Sequence, residues 1–233
     1  PDSGLAFDDE FYTTLSEATF WLGKLSGFAQ TVDFAPVLYT SLLRKEAMES
    51  AEIEGAEVDY NALYSHETRT GVRADAGSDG SAAATKDIQE VLNYENALEW
   101  GISRIEDGAE ISIELLHSLH ERLLTGVPDT SRETDTVGAF KTKPNHIGEF
   151  LPPVPGTVDG LIDALLTYIQ TGGQYHPLID IALVHSQFET IHPYGAGNGR
   201  LGRLLITLQL YRPDYLDTPT LYLSEYCNRF KSP

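Results

Sequence analysis

The stretch IHPYGAGNGRLGRLL, residues 191–205, decides how the C-terminal half of this chain folds. The apolar residues of 177–190 fall on one face of a helix, which Pro193 brings to an end. Those of 199–212 recur at i, i+3, i+4 and i+7, which predicts a second buried helix. The glycine-rich segment 195–199 is therefore a tight loop at the N-terminus of that second helix.

Such a loop is suited to anions. The first turn of a helix presents free N–H groups and the positive end of the dipole. Gly197 and Gly199 let the backbone approach phosphate oxygens, and Asn198 can tolerate an unusual dihedral and donate an amide hydrogen. Arg200 and Arg203, three residues apart, can project from one end of the helix and clamp further phosphates.

A proton acceptor lies across the same loop. His192 has a side chain whose ordinary pKa suits it to take a proton from a hydroxyl group. A triphosphate facing a general base is the simplest ligand for this set of residues. The alternative is a glycine-rich helix connection with two solvated arginines, and the combination of histidine, loop, helix start and paired arginines favours the functional site.

The loop lacks the GK(S/T) of a Walker A motif and does not follow a strand as GxGxxG does. It closely resembles the signature of the Fic (Fido) family, HPFx(D/E)GNGRxxR, here running from His192 to Arg203. The resemblance implies a mostly helical fold and transfer of AMP from ATP to a Ser, Thr or Tyr hydroxyl of a target protein. It implies that His192 deprotonates the hydroxyl, that the loop amides and Asn198 hold the phosphates, and that Arg200 and Arg203 anchor the β- and γ-phosphates.

A second motif points to regulation. SAEIEG, from Ser50 to Gly55, resembles the family's inhibitory sequence (S/T)xxxE(G/N), as in the class with an N-terminal inhibitory helix. Glu54 in the last turn of a helix faces the negative end of the dipole, and Arg203 is the candidate cation to offset it. A Glu54–Arg203 pair would keep the arginine from the γ-phosphate, so ATP would bind unproductively. The alternative is a solvated glutamate in an acidic protein, and the other motif favours the inhibitory role.

Ala196 is the departure from the family signature. The acidic residue usual at this position binds Mg²⁺, which bridges the α- and β-phosphates, whereas alanine has no ligand atom. ATP binding is therefore expected, with Mg²⁺ expected for the family but its site compromised, and turnover is left open. The residue is an engineered substitution, a natural variant with weak or different chemistry, or a sign of a degenerate binding module. The alternative functions are a catalytically weak or inactive nucleotide-binding regulatory protein and a relative that transfers another phosphate-containing group.

Hydrophobic periodicity along the chain predicts an all-α fold with a short β-hairpin flap. The predicted helices span about 8–27, 36–54, 86–103, 112–124, 157–171, 177–190 and 199–212. Residues 71–85 have the composition of a mobile loop, and residues 138–153 resemble a shortened target-docking flap. One Fic-type domain is expected over 1–233, with an N-terminal helical region of about 1–65 that carries the inhibitory motif and a core of about 86–233. His117 and His120 lack an HExxH pattern, so packing or exposure is expected of them rather than metal binding.

The composition limits the partners. Thirty-five acidic against 16 basic residues leave a net charge of −19, which opposes direct binding to nucleic acid or anionic lipid. No apolar run is long enough to span a membrane. The single cysteine, Cys227, excludes an intramolecular disulfide and fits a cytoplasmic location. ATP and an unidentified target protein are the expected partners, the helical surface allows a homodimer, and the acid-rich, lysine-poor composition suggests a halophilic source.

Overall fold

The structure, a computed structural model, describes residues 4–31, 36–71, 82–127, 137–211, 215–216 and 219–230. Within these ranges the regular structure is helical, apart from one isolated β-bridge, which confirms the all-α prediction. The helices are α1 (Asp9–Thr31), α2 (Pro36–Ile53), α3 (Tyr60–Gly71), α4 (Ala82–Glu106), α5 (Ile113–Leu124), α6 (Pro155–Thr171), α7 (Pro177–Ile191), α8 (Asn198–Leu210) and α9 (Ser224–Arg229).

Most helices lie where the apolar periodicity predicts them, and the differences have local causes. Helix α3 was not expected, because YNALYSHETRTG carries few apolar residues to reveal a period. Helix α4 begins at Ala82, four residues before the expected start. The stretch 71–85 has the composition of a loop, but the alanines at its end favour a helix strongly. The rest of the predicted loop, residues 72–81, lies outside the described residues.

The expected hairpin flap is reduced to a single turn. Ile147 and Phe150 exchange both backbone hydrogen bonds, at 3.0 and 2.9 Å between N and O, and Gly148 between them has φ of 57°. No strand extends from this bridge. Pro144 and Pro152 flank it and cannot donate to a ladder, so a longer hairpin is excluded on both sides.

Helix α8 is the centre of the molecule. It packs against α2, α4, α5 and α7, and every residue from Asn198 to Leu210 except Gly199 is buried. The leucines of the predicted stripe fill the main core. Because the helix is enclosed on all sides, its two arginines, Arg200 and Arg203, are carried into the interior, where each requires polar partners.

Helix α2 is anchored beside this centre by a buried carboxylate. Glu46 accepts hydrogen bonds from the hydroxyl of Tyr94 (3.0 Å) on α4, and from the backbone N–H (3.0 Å) and the hydroxyl (2.6 Å) of Ser224 at the start of α9. Helices α4 and α9 are therefore both tied to one side chain of α2. The C-terminal end of α2, which carries Ser50 and leads to Glu54, is thus held against α8.

Helix α1 packs at the periphery. Its Leu22 and Leu25 contact a small separate apolar cluster that includes Ile181 of α7 and Ile206 of α8. In the part of the chain that the structure describes, no helix is both long enough and apolar enough to cross a bilayer.

Candidate active site

The connection from α7 to α8 turns through two left-handed residues. His192 caps the C-terminus of α7 with φ 49° and ψ 61°, and it is the one non-glycine residue with positive φ among the described residues. Gly197 caps the N-terminus of α8 with φ 76°. Asn198, which can tolerate an unusual dihedral, does not adopt one. Asn198 is the first residue of α8, and the strain falls on the histidine instead.

Asn198 fastens the loop to itself. Its Oδ1 accepts from the backbone N–H of Tyr194 at 2.9 Å, and its Nδ2 donates to the carbonyl of the same residue at 2.7 Å. The side chain is 2% exposed. The structure therefore assigns this amide to closing the loop, and a direct contact of Asn198 with phosphate stays a prediction.

The N-terminus of α8 is open to an anion. Gly197 provides no side-chain hydrogen bond to the first turn, so these N–H groups have no side-chain cap. A Cβ on residue 199 would overlap the carboxylate of Glu54, which lies directly against Gly199. A carboxylate of the chain itself thus occupies the place where the sequence predicts phosphate.

Arg203 is held by the end of α2. Its Nε donates to the Ser50 hydroxyl at 2.9 Å, and its Nη2 donates to the Ser50 carbonyl at 2.9 Å and to Oε1 of Glu54 at 2.8 Å. Ser50 is fully buried, and the Arg203 residue is 8% exposed. The structure therefore brings Ser50, Glu54 and Arg203 together, and the effect of this contact on ATP stays a prediction.

Arg200 lies in a different environment. It is 4% exposed, and its Nη1 is 3.5 Å from Oε2 of Glu90 on α4. Its Nε and Nη1 are enclosed without a hydrogen-bond acceptor. The sequence predicts that Arg200 and Arg203 act as a pair, but the partners of the two guanidinium groups lie on different helices. Two unbonded, enclosed donors nevertheless remain on Arg200 for an additional acceptor.

The imidazole of His192 is partly buried beside Glu189. Its Nδ1 is enclosed without a hydrogen-bond partner, and the nearest carboxylate oxygen, Oε2 of Glu189, is 4.0 Å away. Burial lowers the pKa of His192, and the Lys141 ammonium lowers it further, while the backbone of Glu189 and the charge of Glu54 raise it. A neutral ring at neutral pH is the form that a general base requires.

Glu189 is a residue of the site that sequence reasoning missed. Burial raises its pKa to about 7, with Glu54 adding to the effect and Arg203 opposing it. Its Oε1 is enclosed without a donor, and a Cβ on Gly202 would overlap that atom. The available signal is its position in the last turn of α7, three residues before His192, which caps the end of that helix.

Ala196 contributes only its backbone. Its carbonyl oxygen lies 3.0 Å from Nε2 of His120, and the N–H of Gly138 donates to Nδ1 of the same ring at 3.0 Å. Because an N–H group can only donate, His120 carries its proton on Nε2 and donates it to Ala196. His120 also stacks on Tyr194 with ring centroids 3.9 Å apart. His117 contacts the Tyr194 hydroxyl through Nδ1 at 2.9 Å, so both histidines support the loop by packing.

The donor set does not fit a resident Mg²⁺ ion. The methyl group of Ala196 offers no ligand, and its carbonyl is already bonded to His120. The described ranges contain no group of three or more His, Cys, Asp or Glu side chains able to hold a metal ion. No chemical step is therefore assigned to a metal bound by this chain.

Family models cover most of this architecture. The Fic/DOC family N-terminal model matches residues 12–103, which include α2 and the Ser50–Glu54 segment, and the Fic/DOC family model matches residues 110–210, which include the loop and α8. The chain belongs to the Fic/DOC family.

Curated relatives of this Fic chain carry the name protein adenylyltransferase Fic. That of Drosophila willistoni is 26% identical over 174 residues, covering 74% of this chain and 34% of the relative. That of Drosophila melanogaster is 25% identical with the same coverage. The chain thus spans about a third of the length of these relatives.

Solved structures show the same Fic fold. A Fic family protein from Desulfovibrio desulfuricans superposes with a TM-score of 0.74 at 22% identity, covering 98% of this chain and 65% of that one. A Fic domain containing signaling protein from Bacteroides thetaiotaomicron gives 0.67 at 22% identity, covering 89% and 77%. Fic-1 from C. elegans gives 0.65 at 18% identity, covering 95% and 63%.

Proposed function

We propose that this Fic chain transfers AMP from ATP to a hydroxyl side chain of a target protein, and that Glu54 restrains the reaction. The names of the curated relatives support the reaction class. The observation that carries the proposal is the position of the Glu54 carboxylate, against Gly199 at the start of α8 and 2.8 Å from Nη2 of Arg203. It lies where the phosphates of a bound nucleotide would be held.

The reaction requires one proton acceptor and a set of anion-binding donors. His192 takes the proton of the target hydroxyl at Nε2, and the hydroxyl oxygen attacks the α-phosphorus of ATP. The bond from the α-phosphorus to the bridging oxygen breaks, and pyrophosphate leaves with the electron pair. The uncapped N–H groups of α8 and the guanidinium of Arg203 stabilise the charge that develops on the phosphates.

The restraint follows from competition for the same donors. Arg203 keeps its two bonds to Ser50 when Glu54 moves, so it stays in place for a phosphate. Only its bond to Glu54 must be exchanged. A triphosphate that enters while Glu54 is in place meets a carboxylate at the helix N-terminus and is held away from the productive position.

The proposal is tested by self-labelling of the full chain with ATP that carries a radioactive α-phosphate. Four proteins are compared: the unaltered chain, Glu54→Gly, Ala196→Asp, and the double variant. We expect weak labelling of the first, a gain with each single change, and roughly a hundredfold gain in the double variant, because a metal ligand contributes several kcal/mol to such chemistry. His192→Ala in the double variant should abolish the label. Absence of label in all four proteins would overturn the proposal.

A nucleotide-binding regulatory protein without turnover is the second candidate, and Ala196 is the observation that favours it. Such a protein binds ATP through α8 and Arg203 without needing a metal ion. Calorimetry with ATP, with and without Mg²⁺, separates the two. Metal-independent binding without any AMP transfer, even by the double variant, supports the second candidate.

A further inference from the structure

The backbone around His192 is held by a short segment that the motif does not include. Lys141 and Asn145 lie in the loop between α5 and α6, where residues 141–145 form neither helix nor strand. Lys141 is only 3% exposed. Its Nζ donates to Oδ1 of Asn145 at 2.7 Å, so the two side chains form one unit, here called the Lys141–Asn145 clip.

The clip binds four consecutive carbonyl groups. Lys141 donates from Nζ to the carbonyl of Ile191 at 3.2 Å and from its backbone N–H to that of Pro193 at 2.8 Å. Asn145 donates from Nδ2 to the carbonyls of residues 192 and 194, at 3.2 and 2.9 Å. The residues on either side of the imidazole, and the histidine itself, are thus fixed by the same two residues.

These contacts have a physical reason at this position. The last carbonyls of a helix have no partner within it, and a non-glycine residue in the left-handed region costs roughly 1–3 kcal/mol unless its surroundings impose it. The clip supplies a donor for the last carbonyl of α7, that of Ile191, and another for the carbonyl of the strained His192. It thereby fixes the direction in which the imidazole leaves the backbone.

The charge of Lys141 needs a separate explanation. Burial lowers the pKa of its ammonium, and within the described part of the chain its acceptors are two neutral oxygens, with no carboxylate paired to it. A buried ammonium without a counter-ion is costly, and a neutral amide could donate to the same carbonyls. Hydrogen bonding to the carbonyls therefore does not explain why this residue carries a charge.

We infer that Lys141 and Asn145 are positioning residues for catalysis, which hold His192 in its left-handed conformation, and that Lys141 also places a positive charge beside the backbone that carries the imidazole. This inference rests on the proposed function of His192 as a proton acceptor. Asn145 affects only the orientation of the His192 imidazole, whereas Lys141 affects both its orientation and its protonation.

Three charged residues lie around the ring, one from each of three packed elements. Lys141 in the clip opposes the charged imidazolium. Glu54 after α2 and Glu189 on α7 have the opposite sign. Removing the Lys141 charge leaves the carboxylates unopposed, so the pKa of His192 rises and less of the neutral base is present at neutral pH.

The first test does not depend on AMP transfer. The pKa of His192 is measured by NMR titration of its ring nitrogens in the full chain, assigned with His192→Gln. Lys141→Gln, which keeps a donor but removes the charge, should raise this pKa by about one unit, and Lys141→Arg should leave it within about 0.3 units. Lys143→Gln, an exposed lysine two residues away, is the matched control. An unchanged pKa in a folded Lys141→Gln variant would overturn the role of the charge.

The second test uses kinetics in the Glu54→Gly, Ala196→Asp background. Lys141→Gln should lower kcat roughly tenfold at neutral pH and move the acidic limb of the kcat profile to higher pH, with the KM for ATP little changed. Lys141→Arg should return the acidic limb of the kcat profile to its pH in the background protein. Asn145→Ala should lower kcat without moving this limb, because it alters only the orientation of the His192 imidazole. A change confined to KM, or no change in kcat, would overturn the positioning role. A background without transfer would overturn the proposed function instead, and the titration would still test the clip.

Discussion

At the scale of single residues, the main feature of the site is the ion pair between Glu54 and Arg203. Glu54 is about a third exposed and bonds to an arginine that is almost enclosed. An ion pair of this exposure contributes little to folding, of the order of 1 kcal/mol or less. Under the proposed function, its significance lies in competition with a phosphate for Arg203.

Replacing Glu54 should therefore change ATP binding more than stability. For Glu54→Ala we expect the Kd for ATP to fall roughly tenfold, equivalent to about 1.4 kcal/mol, because Arg203 and the N-terminus of α8 are freed for phosphate. Isothermal calorimetry measures the change. Glu52→Ala, which removes an exposed carboxylate from the same helix end, should leave the Kd unchanged. Equal affinities for all three proteins would contradict the competition.

Glu189 predicts how stability depends on pH. Its pKa is about 7 in the folded chain against an ordinary 4.5, so the folded state binds the proton more tightly than the unfolded state. The stability due to this group is complete below the ordinary pKa and is lost as pH rises through the folded pKa. Relative to Glu189→Gln, the chain should lose roughly 3 kcal/mol of unfolding free energy between about pH 4.5 and about pH 8, since the two pKa values differ by about 2.5 units.

Urea denaturation across this pH range measures the Glu189 effect, and the variant serves as its own control for all other titrating groups. A constant difference between the two proteins over the range would show that Glu189 is not perturbed.

At the scale of helices, the anchoring of α2 determines whether the contact between Glu54 and Arg203 can exist. Glu46 receives three hydrogen bonds that join α2, α4 and α9, and burial raises its pKa although these donors lower it. Such a buried acceptor cannot be removed without leaving Tyr94 and Ser224 unsatisfied.

We expect Glu46→Ala to lower the free energy of unfolding by about 3 kcal/mol, because several buried donors lose their partner at once. Chemical denaturation measures this loss. Glu49→Ala is the matched control, since Glu49 lies on the same helix and accepts one half-buried bond, from Asn228 of α9. It should cost about 1 kcal/mol or less. Similar losses for the two variants would contradict the special role of Glu46.

The helices themselves could be predicted where apolar residues recur at helical spacing, as in α5, α7 and α8. The polar helix α3 has no such period. The turn between Ile147 and Phe150 is too short to be recognised from composition. In the site, the contact of Arg203 with Ser50 and Glu54 could be predicted from the sequence, because a motif and the helix dipole both indicate it. The roles of Lys141 and Asn145 could not be predicted, because these residues lie in a stretch interrupted by proline and reach the site only through tertiary contacts.

At the scale of the whole molecule, the net charge of −19 opposes compaction. Salt screens this self-repulsion over a Debye length of about 10 Å at 0.1 M and about 3 Å at 1 M. A chain of this composition should therefore be more stable at high ionic strength, as the hypothesis of a halophilic source requires.

Raising NaCl from about 0.1 M to about 2 M at neutral pH should increase Tm by roughly 4 °C, equivalent to about 1 kcal/mol or more for a chain of this size. Calorimetry or thermal circular dichroism measures it. The same experiment near the sequence pI of about 4.6, where the net charge vanishes, should show a much smaller increase. A Tm indifferent to salt at neutral pH would contradict both the charge argument and the halophilic hypothesis.

The burial of α8 has a consequence for how such a chain can change through evolution. Asn198, Arg200 and Arg203 belong to the interior, so replacing them disturbs folding as well as any chemistry. The side chain of Ala196 lies outside the buried set, and its carbonyl bonds to His120 whatever the side chain is. Selection for a folded protein alone therefore preserves these three residues of the signature while leaving residue 196 free to drift. A nearly intact signature is evidence of ancestry, and the occupant of position 196 is evidence of present activity.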